Sequence, residues 1–89
     1  MDKSGLIIFA YGADFNSFVV KDVIPGSPAE ESGLQSEDIV VKVQGLPAHH
    51  YSLSGLNALL QKKSGKKIRM LISRKGERLL MEFKLRDLI

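Results

Sequence analysis

Residues 23–45 read VIPGSPAEESGLQSEDIVVKVQG, and this run restricts the backbone more tightly than any other part of the chain. Pro25-Gly26 ends whatever strand precedes it, because proline lacks the amide that a ladder needs. Ser27 then has the chemistry of a helix N-cap, Pro28 suits the first helical position, and Glu30 stands three residues after the cap, where its carboxylate can bond back to it. That pattern is a capping box. Gly33 can take the left-handed conformation that stops a helix, and Leu34 just beyond it can fold onto the last turn. The predicted helix has one or two turns, too few to be stable in isolation. It must be held by burying Ala29 and Leu34 against the neighbouring strands, the second of which is Ile39-Val40-Val41-Lys42-Val43.

The rest of the chain supplies that framework. Leu6-Ile7-Ile8-Phe9-Ala10 is β-branched and aromatic enough for a buried strand and is bounded by Gly5 and Gly12. Phe18 to Ile24 is the second strand candidate, after a loop from Gly12 to Ser17. Gly45-Leu46-Pro47 makes a turn. A second helix starts from Ser52 as cap, with Tyr51 placed to staple onto Leu56. Leu53, Leu56, Leu59 and Leu60 share one face, Lys62 and Lys63 fall in the last turn where the dipole favours cations, and Gly65 ends the helix. The chain finishes as a hairpin in which Ile68, Met70 and Ile72 alternate against Leu79, Met81, Phe83 and Leu85 across the turn Arg74-Lys75-Gly76-Glu77. The order is β-β-α-β-α-β-β. The fold class expected is α+β, a partly open antiparallel β-barrel of about five strands capped by two helices.

Composition narrows the function classes. With 89 residues, 44% hydrophobic and 26% charged, the chain suits one globular domain spanning 1–89 that buries a core without staples. There is no cysteine, so neither a disulfide framework nor a thiolate metal site is available. The longest apolar run, Leu6 to Ala10, falls far short of the ~20 residues that cross a bilayer. Met1-Asp2-Lys3-Ser4, followed by five apolar residues and no small-residue cleavage site, does not read as a signal peptide.

Catalytic chemistry is not evident either. None of Asp2, Asp14, Asp22, Asp38 and Asp87 is followed by the small hydroxyl residue and glycine that an aspartic protease uses. No serine sits at a strand-to-helix elbow with an acid placed to orient His49 or His50. The adjacent histidines point to opposite sides of an extended backbone and do not chelate one ion together. No catalytic residue, metal ligand or cofactor is expected. Lys62-Lys63-Ser64-Gly65-Lys66-Lys67 with Arg69 is the one basic cluster; it lacks interleaved aromatics for base stacking, and a net charge of +3 fits ordinary solubility. Anion or nucleic-acid binding through residues 62–69 stays open as an alternative.

The spacing Val23-x-Pro25-Gly26-Ser27-Pro28-Ala29-x-x-Ser32-Gly33-Leu34-x-x-x-Asp38-Ile39-x-x-x-Val43-x-Gly45 resembles the signature of PDZ domains, in the circularly permuted form associated with bacterial proteases. Ser4-Gly5-Leu6, Asp14-Phe15-Asn16 and the ending Phe83-Lys84-Leu85-Arg86-Asp87-Leu88-Ile89 look most like the C-terminal PDZ domain of retropepsin-type aspartic proteases from Bacteroides-like bacteria. The resemblance implies a PDZ-like, non-catalytic, peptide-binding module. It would dock C-termini or internal extended segments by β-strand addition for its own attached protease, and it favours the cell envelope. An adaptor with no protease attached fits the same residues. Carried over, Gly5, Leu6, Ile7 and Ile8 form the loop and strand, with amides near Leu6 and Ile7 receiving a carboxylate, while Leu53, Leu56, Asn57 and Leu60 form the helical wall. A free carboxylate on Asp87-Leu88-Ile89 would let one molecule's tail dock on another. The chain departs from the pattern at Ile7, where a second glycine is usual, at Glu37, where a glycine commonly precedes the aspartate, and at Ser32, which replaces alanine.

Overall fold

The computed structural model describes residues 3–12 and 17–87. Strands β1 (Leu6–Tyr11), β2 (Ser17–Val23), β3 (Ile39–Val43), β4 (Leu46–Pro47), β5 (Lys67–Arg74) and β6 (Glu77–Lys84) alternate with helices α1 (Pro28–Ser32) and α2 (Leu53–Leu59). The sheet runs β1-β2-β3-β5-β6, every pairing antiparallel, with β4 paired to β3. The expected α+β fold is observed as an open sheet with β1 and β6 at its two ends. Helix α1 packs against β6, and a 3-10 turn over Ala48–His50, exposed at both histidines, leads towards α2.

Local chemistry accounts for the elements. Ser27 caps α1, its Oγ accepting from Glu30 N–H at 3.3 Å. Glu30 Oε1 accepts from Gly26 N–H at 2.8 Å instead of from the cap itself, because the Ser27 N–H already donates to Ile24 O across the proline turn. Gly33 ends the helix at φ 101, and Leu34 N–H reaches back to Ala29 O. Ala29 and Leu34 are buried, as the shortness of the helix requires. Helix α2 is shorter than its sequence predicts. Beyond Leu60 the bonds tighten to Gln61 N–H on Ala58 O and Lys62 N–H on Leu59 O, so Lys62 and Lys63 lie on the following turn and not in the helix. Tyr51 donates its hydroxyl to Val43 O at 3.0 Å.

The core gathers Leu6, Ile8, Phe18, Val20, Val40, Val43, Leu56, Leu60, Ile68, Met70, Ile72, Phe83 and Leu85 from every layer. In β3 both Val40 and Val43 point inward, three residues apart, because the ladder to β5 shifts register between Val40 and Lys42. That bulge leaves Val41 half-buried and Lys42 exposed. The β5–β6 hairpin pairs Ile68 with Phe83, Met70 with Met81 and Ile72 with Leu79. Its turn places Lys75 and Gly76 at φ 52 and 81, the left-handed pair that suits strand twist.

Asp38 and Arg74 join the start of β3 to the end of β5. Arg74 Nε and Nη2 each donate to the carboxylate at 2.8 Å, Nη2 also donates to Gly33 O at 2.9 Å, and Gln35 N–H supplies a further bond to Asp38. Burial, the largest single influence, pushes the Asp38 carboxyl up; the bonds from Arg74 and Gln35 together outweigh it and hold the group below the usual carboxylate range.

Candidate functional site

The segment entering β1 is fixed by backbone bonds from several elements. Lys3 N–H donates to Leu60 O at 3.0 Å, which brings the end of α2 beside the start of β1. Arg86 N–H donates to Lys3 O at 3.2 Å, Ala29 N–H to Ser4 O at 3.0 Å, and Ile24 N–H to Gly5 O at 2.8 Å. Gly5 sits at φ 85, and a Cβ there would lie 2.2 Å from Ser27 Cβ and 2.3 Å from Ser27 Oγ. Only glycine fits, for both torsional and steric reasons. Ser27 and Ala29 of the proline-rich stretch therefore support this loop directly, a role that no local pattern in residues 23–45 announces.

From this anchor β1 runs along the end of the sheet, with β2 as its sheet neighbour. Its alternation buries Leu6 and Ile8 and exposes Ile7 to 43%. On α2 and its C-cap, Leu56 and Leu60 face inward and are fully buried, while Leu53 and Asn57, one turn apart, are half-buried. The eight residues expected at the site thus divide by physical role. Leu6, Ile8, Leu56 and Leu60 belong to the buried core; Gly5 shapes the loop; Ile7, Leu53 and Asn57 keep accessible surface. Residue Ile7 lies in the strand without a positive φ, so the loop has its left-handed turn at Gly5 alone.

Two features escaped sequence reading. Ser4 is buried, and its Oγ accepts from Leu6 N–H at 3.1 Å, so one of the amides expected to receive a carboxylate already has an internal partner. The sequence signal was present: serine two residues before an amide, across a glycine, is a side-chain-to-backbone turn. The second is the stretch after β6. Leu85 is buried and Leu85 N–H bonds Lys66 O; Arg86 clamps Glu31 of α1 with two bonds of 2.9 Å and donates to Gly26 O. That clamp, chiefly its hydrogen bonding, keeps the Glu31 carboxyl below its ordinary value. The expected tail docking through Leu88 and Ile89, and the loop residues Asp14, Phe15 and Asn16, lie outside the described residues. Among the described residues no group of three or more His, Asp or Glu side chains is arranged to hold a metal ion, and no helix is long and apolar enough to cross a membrane.

A family profile described as PDZ domain matches residues 19–74. The chain belongs to the PDZ domain family. Its fold is similar to a photosystem II D1 C-terminal processing protease, at 24% identity and a TM-score of 0.84, covering 99% of this chain and 24% of that one. It is also similar to the HtrA3 PDZ domain bound to a phage-derived ligand (FGRWV), at 22% identity and a TM-score of 0.78 over 97% of this chain and 86% of that one. A PDZ domain protein from Parabacteroides distasonis matches at 22% identity and a TM-score of 0.75, over 94% of this chain and 20% of the other. A serine endoprotease from Yersinia pestis matches at 22% identity and a TM-score of 0.76, over 99% and 29%. This PDZ domain spans about a quarter of the length of the D1 processing protease. These structures give no support to the narrower association with retropepsin-type aspartic proteases, nor to a circularly permuted form of the domain; the proteases among them are of processing and serine type.

Proposed function

We propose that this PDZ domain binds C-termini and extended peptide segments by adding them as a strand to the outer edge of β1, beside α2. The observation that carries the reading is the position of β1 at the end of the sheet, with its entry loop held against the end of α2 through Lys3 and Leu60. An edge strand offers main-chain donors and acceptors, and alternate side chains of the ligand find selectivity in flanking pockets. Here Leu53 and Asn57 supply the wall over a floor of Leu6, Ile8, Leu56 and Leu60. The HtrA3 PDZ domain in complex with its phage-derived ligand is a relative in which this kind of module holds a peptide. The likeness to a processing protease and a serine endoprotease supports placing the domain in a larger peptidase of serine type, where it would present substrate segments or a regulatory tail to an active site elsewhere in the chain.

A screen of peptides with free C-termini, amidated C-termini and internal sequences, followed by amide-shift mapping, tests the reading. Perturbations at Ile7, Ile8, Leu53 and Asn57 are expected, with free carboxylates binding most tightly. Saturable binding that leaves β1 and α2 unperturbed overturns the placement. Leu53→Ala is expected to weaken binding about threefold to tenfold with little change in stability, since the side chain is only half-buried.

A further inference from the structure

The outer face of β3, β5 and β6 carries a cavity and a charge pattern that the β1–α2 edge does not use. The cavity measures about 480 Å³ and is lined by Lys42, Gln44, Gly45, Arg69, Leu71 and Leu80, within the ~300–1,000 Å³ range of binding pockets. Its floor follows from register: Lys42 pairs with Leu71, and Leu71 with Leu80. Leu80 is 60% exposed. One wall is braced by Gln44, whose Nε2 donates to Lys67 O at 3.1 Å and whose Oε1 accepts from Arg69 N–H at 2.7 Å. The side chain therefore continues the ladder where β3 turns away, at a residue itself in the left-handed region at φ 53.

The rim is basic. Lys42 makes no ion pair among the described residues. Arg69 stands 3.8 Å from Glu82, a carboxylate that Lys67 holds more closely at 3.1 Å, and Lys67 pairs across the hairpin with exposed Lys84. Strand β5 thus carries the end of the basic run 62–69 onto this face, where Lys42 from β3 joins it.

We propose that this cavity is a second docking site, for an acidic peptide segment with an aliphatic side chain set between carboxylates. The aliphatic group fills the space over Leu71 and Leu80, and the carboxylates meet Lys42 and Arg69. Charge complementarity selects this occupant. A second copy of this chain, at net +3, would bring its own cations to the same rim if the faces met symmetrically. A nucleic acid would satisfy the cations, but no aromatic residue lines the cavity to stack a base.

The test titrates the isotopically labelled 89-residue protein with the N-acetylated, C-amidated peptide Asp-Glu-Leu-Asp-Glu. Saturable shifts are expected at Lys42, Gln44, Arg69, Leu71 and Leu80, weakening as salt rises. Leu80→Asp and Lys42→Glu, both at exposed positions, should each reduce affinity about tenfold while leaving the remaining amide shifts in place. The Asn-Gln-Leu-Asn-Gln counterpart should not bind. Shifts centred on Ile7, Ile8 and α2, absence of shifts at millimolar peptide, or undiminished binding by both variants would overturn the proposal. So would tighter binding to phosphatidylserine vesicles or to a single-stranded oligonucleotide than to the acidic peptide.

Discussion

The α1 turn region and the β1–α2 edge use sequence in opposite ways. Around α1 almost every distinctive residue answers a local backbone demand: Ser27 caps, Gly33 takes φ 101, and Asp38 receives Gln35 N–H. Along β1 and α2 the side chains proposed to meet a ligand are mostly aliphatic, Asn57 being the exception, and the strand edge proposed to receive it has a main-chain chemistry that is the same for any residue but proline. Family signature and proposed binding surface therefore need not coincide. They nevertheless touch, at Gly5 against Ser27 and at Ala29 N–H on Ser4 O.

The largest expected break in that contrast comes from the ion pair of Asp38 and Arg74, buried at its carboxylate and partly exposed at its guanidinium. Arg74→Ala leaves the buried Asp38 carboxylate without its cation and should cost about 3 kcal/mol of stability in denaturant unfolding, the low end for buried pairs because Arg74 is partly exposed and Gln35 N–H remains. The wild-type contribution has a defined pH sign. Because the folded Asp38 carboxyl is held below its ordinary value, the stabilisation is complete above the unfolded value, about pH 4, and is lost as acid titrates the folded group. Unfolding midpoints that are flat from pH 6 down to pH 2 would contradict it.

Gly5→Ala comes next and joins the two regions. Strained torsion and the approach to Ser27 should together cost about 2 kcal/mol or more, and peptide affinity at β1 should fall with it. A variant of normal stability and normal affinity would show that the loop tolerates displacement. Ser4→Ala acts most directly on the edge. It removes the internal partner of Leu6 N–H, so free-carboxylate peptides should bind several-fold more tightly, on the scale of one hydrogen bond of about 1 kcal/mol, while amidated peptides change little. Equal gains for both peptide types would rule out competition at that amide. The smallest effect belongs to the turn region: Glu37 adopts φ 75, and Glu37→Gly should stabilise by up to about 1 kcal/mol, reduced by losing the exposed contact with Lys21 at 3.4 Å.

These cases also show what a linear reading can reach. The α1 cap, its glycine stop and the β5–β6 hairpin depend on neighbours a few residues away and were legible. Glu37 was legible as a departure and acquires its cost only from the observed φ. The early end of α2 was not, because Lys62 and Lys63 fit a helical last turn as well as the tighter turn they occupy. Nor was the pairing of Asp38 with Arg74, 36 residues apart, or the use of the Gln44 amide as a substitute strand. At the candidate site, periodicity identified the leucines of α2 but not their separation into a buried row, Leu56 and Leu60, and a half-exposed one led by Leu53. The outer cavity draws on three strands and a bulge, and no single stretch encodes it.

The bond of Lys3 to both Leu60 and Arg86 has a mechanical consequence. Lys3 and Asp87 also approach each other, with Nζ 3.7 Å from the carboxylate, so polypeptide running into residue 3 and out of residue 87 meets the domain at one corner. That corner is the root of β1. A pull or twist applied through flanking chain would be delivered first to the loop of Ser4 and Gly5, making the covalent connection itself a lever on the proposed ligand edge.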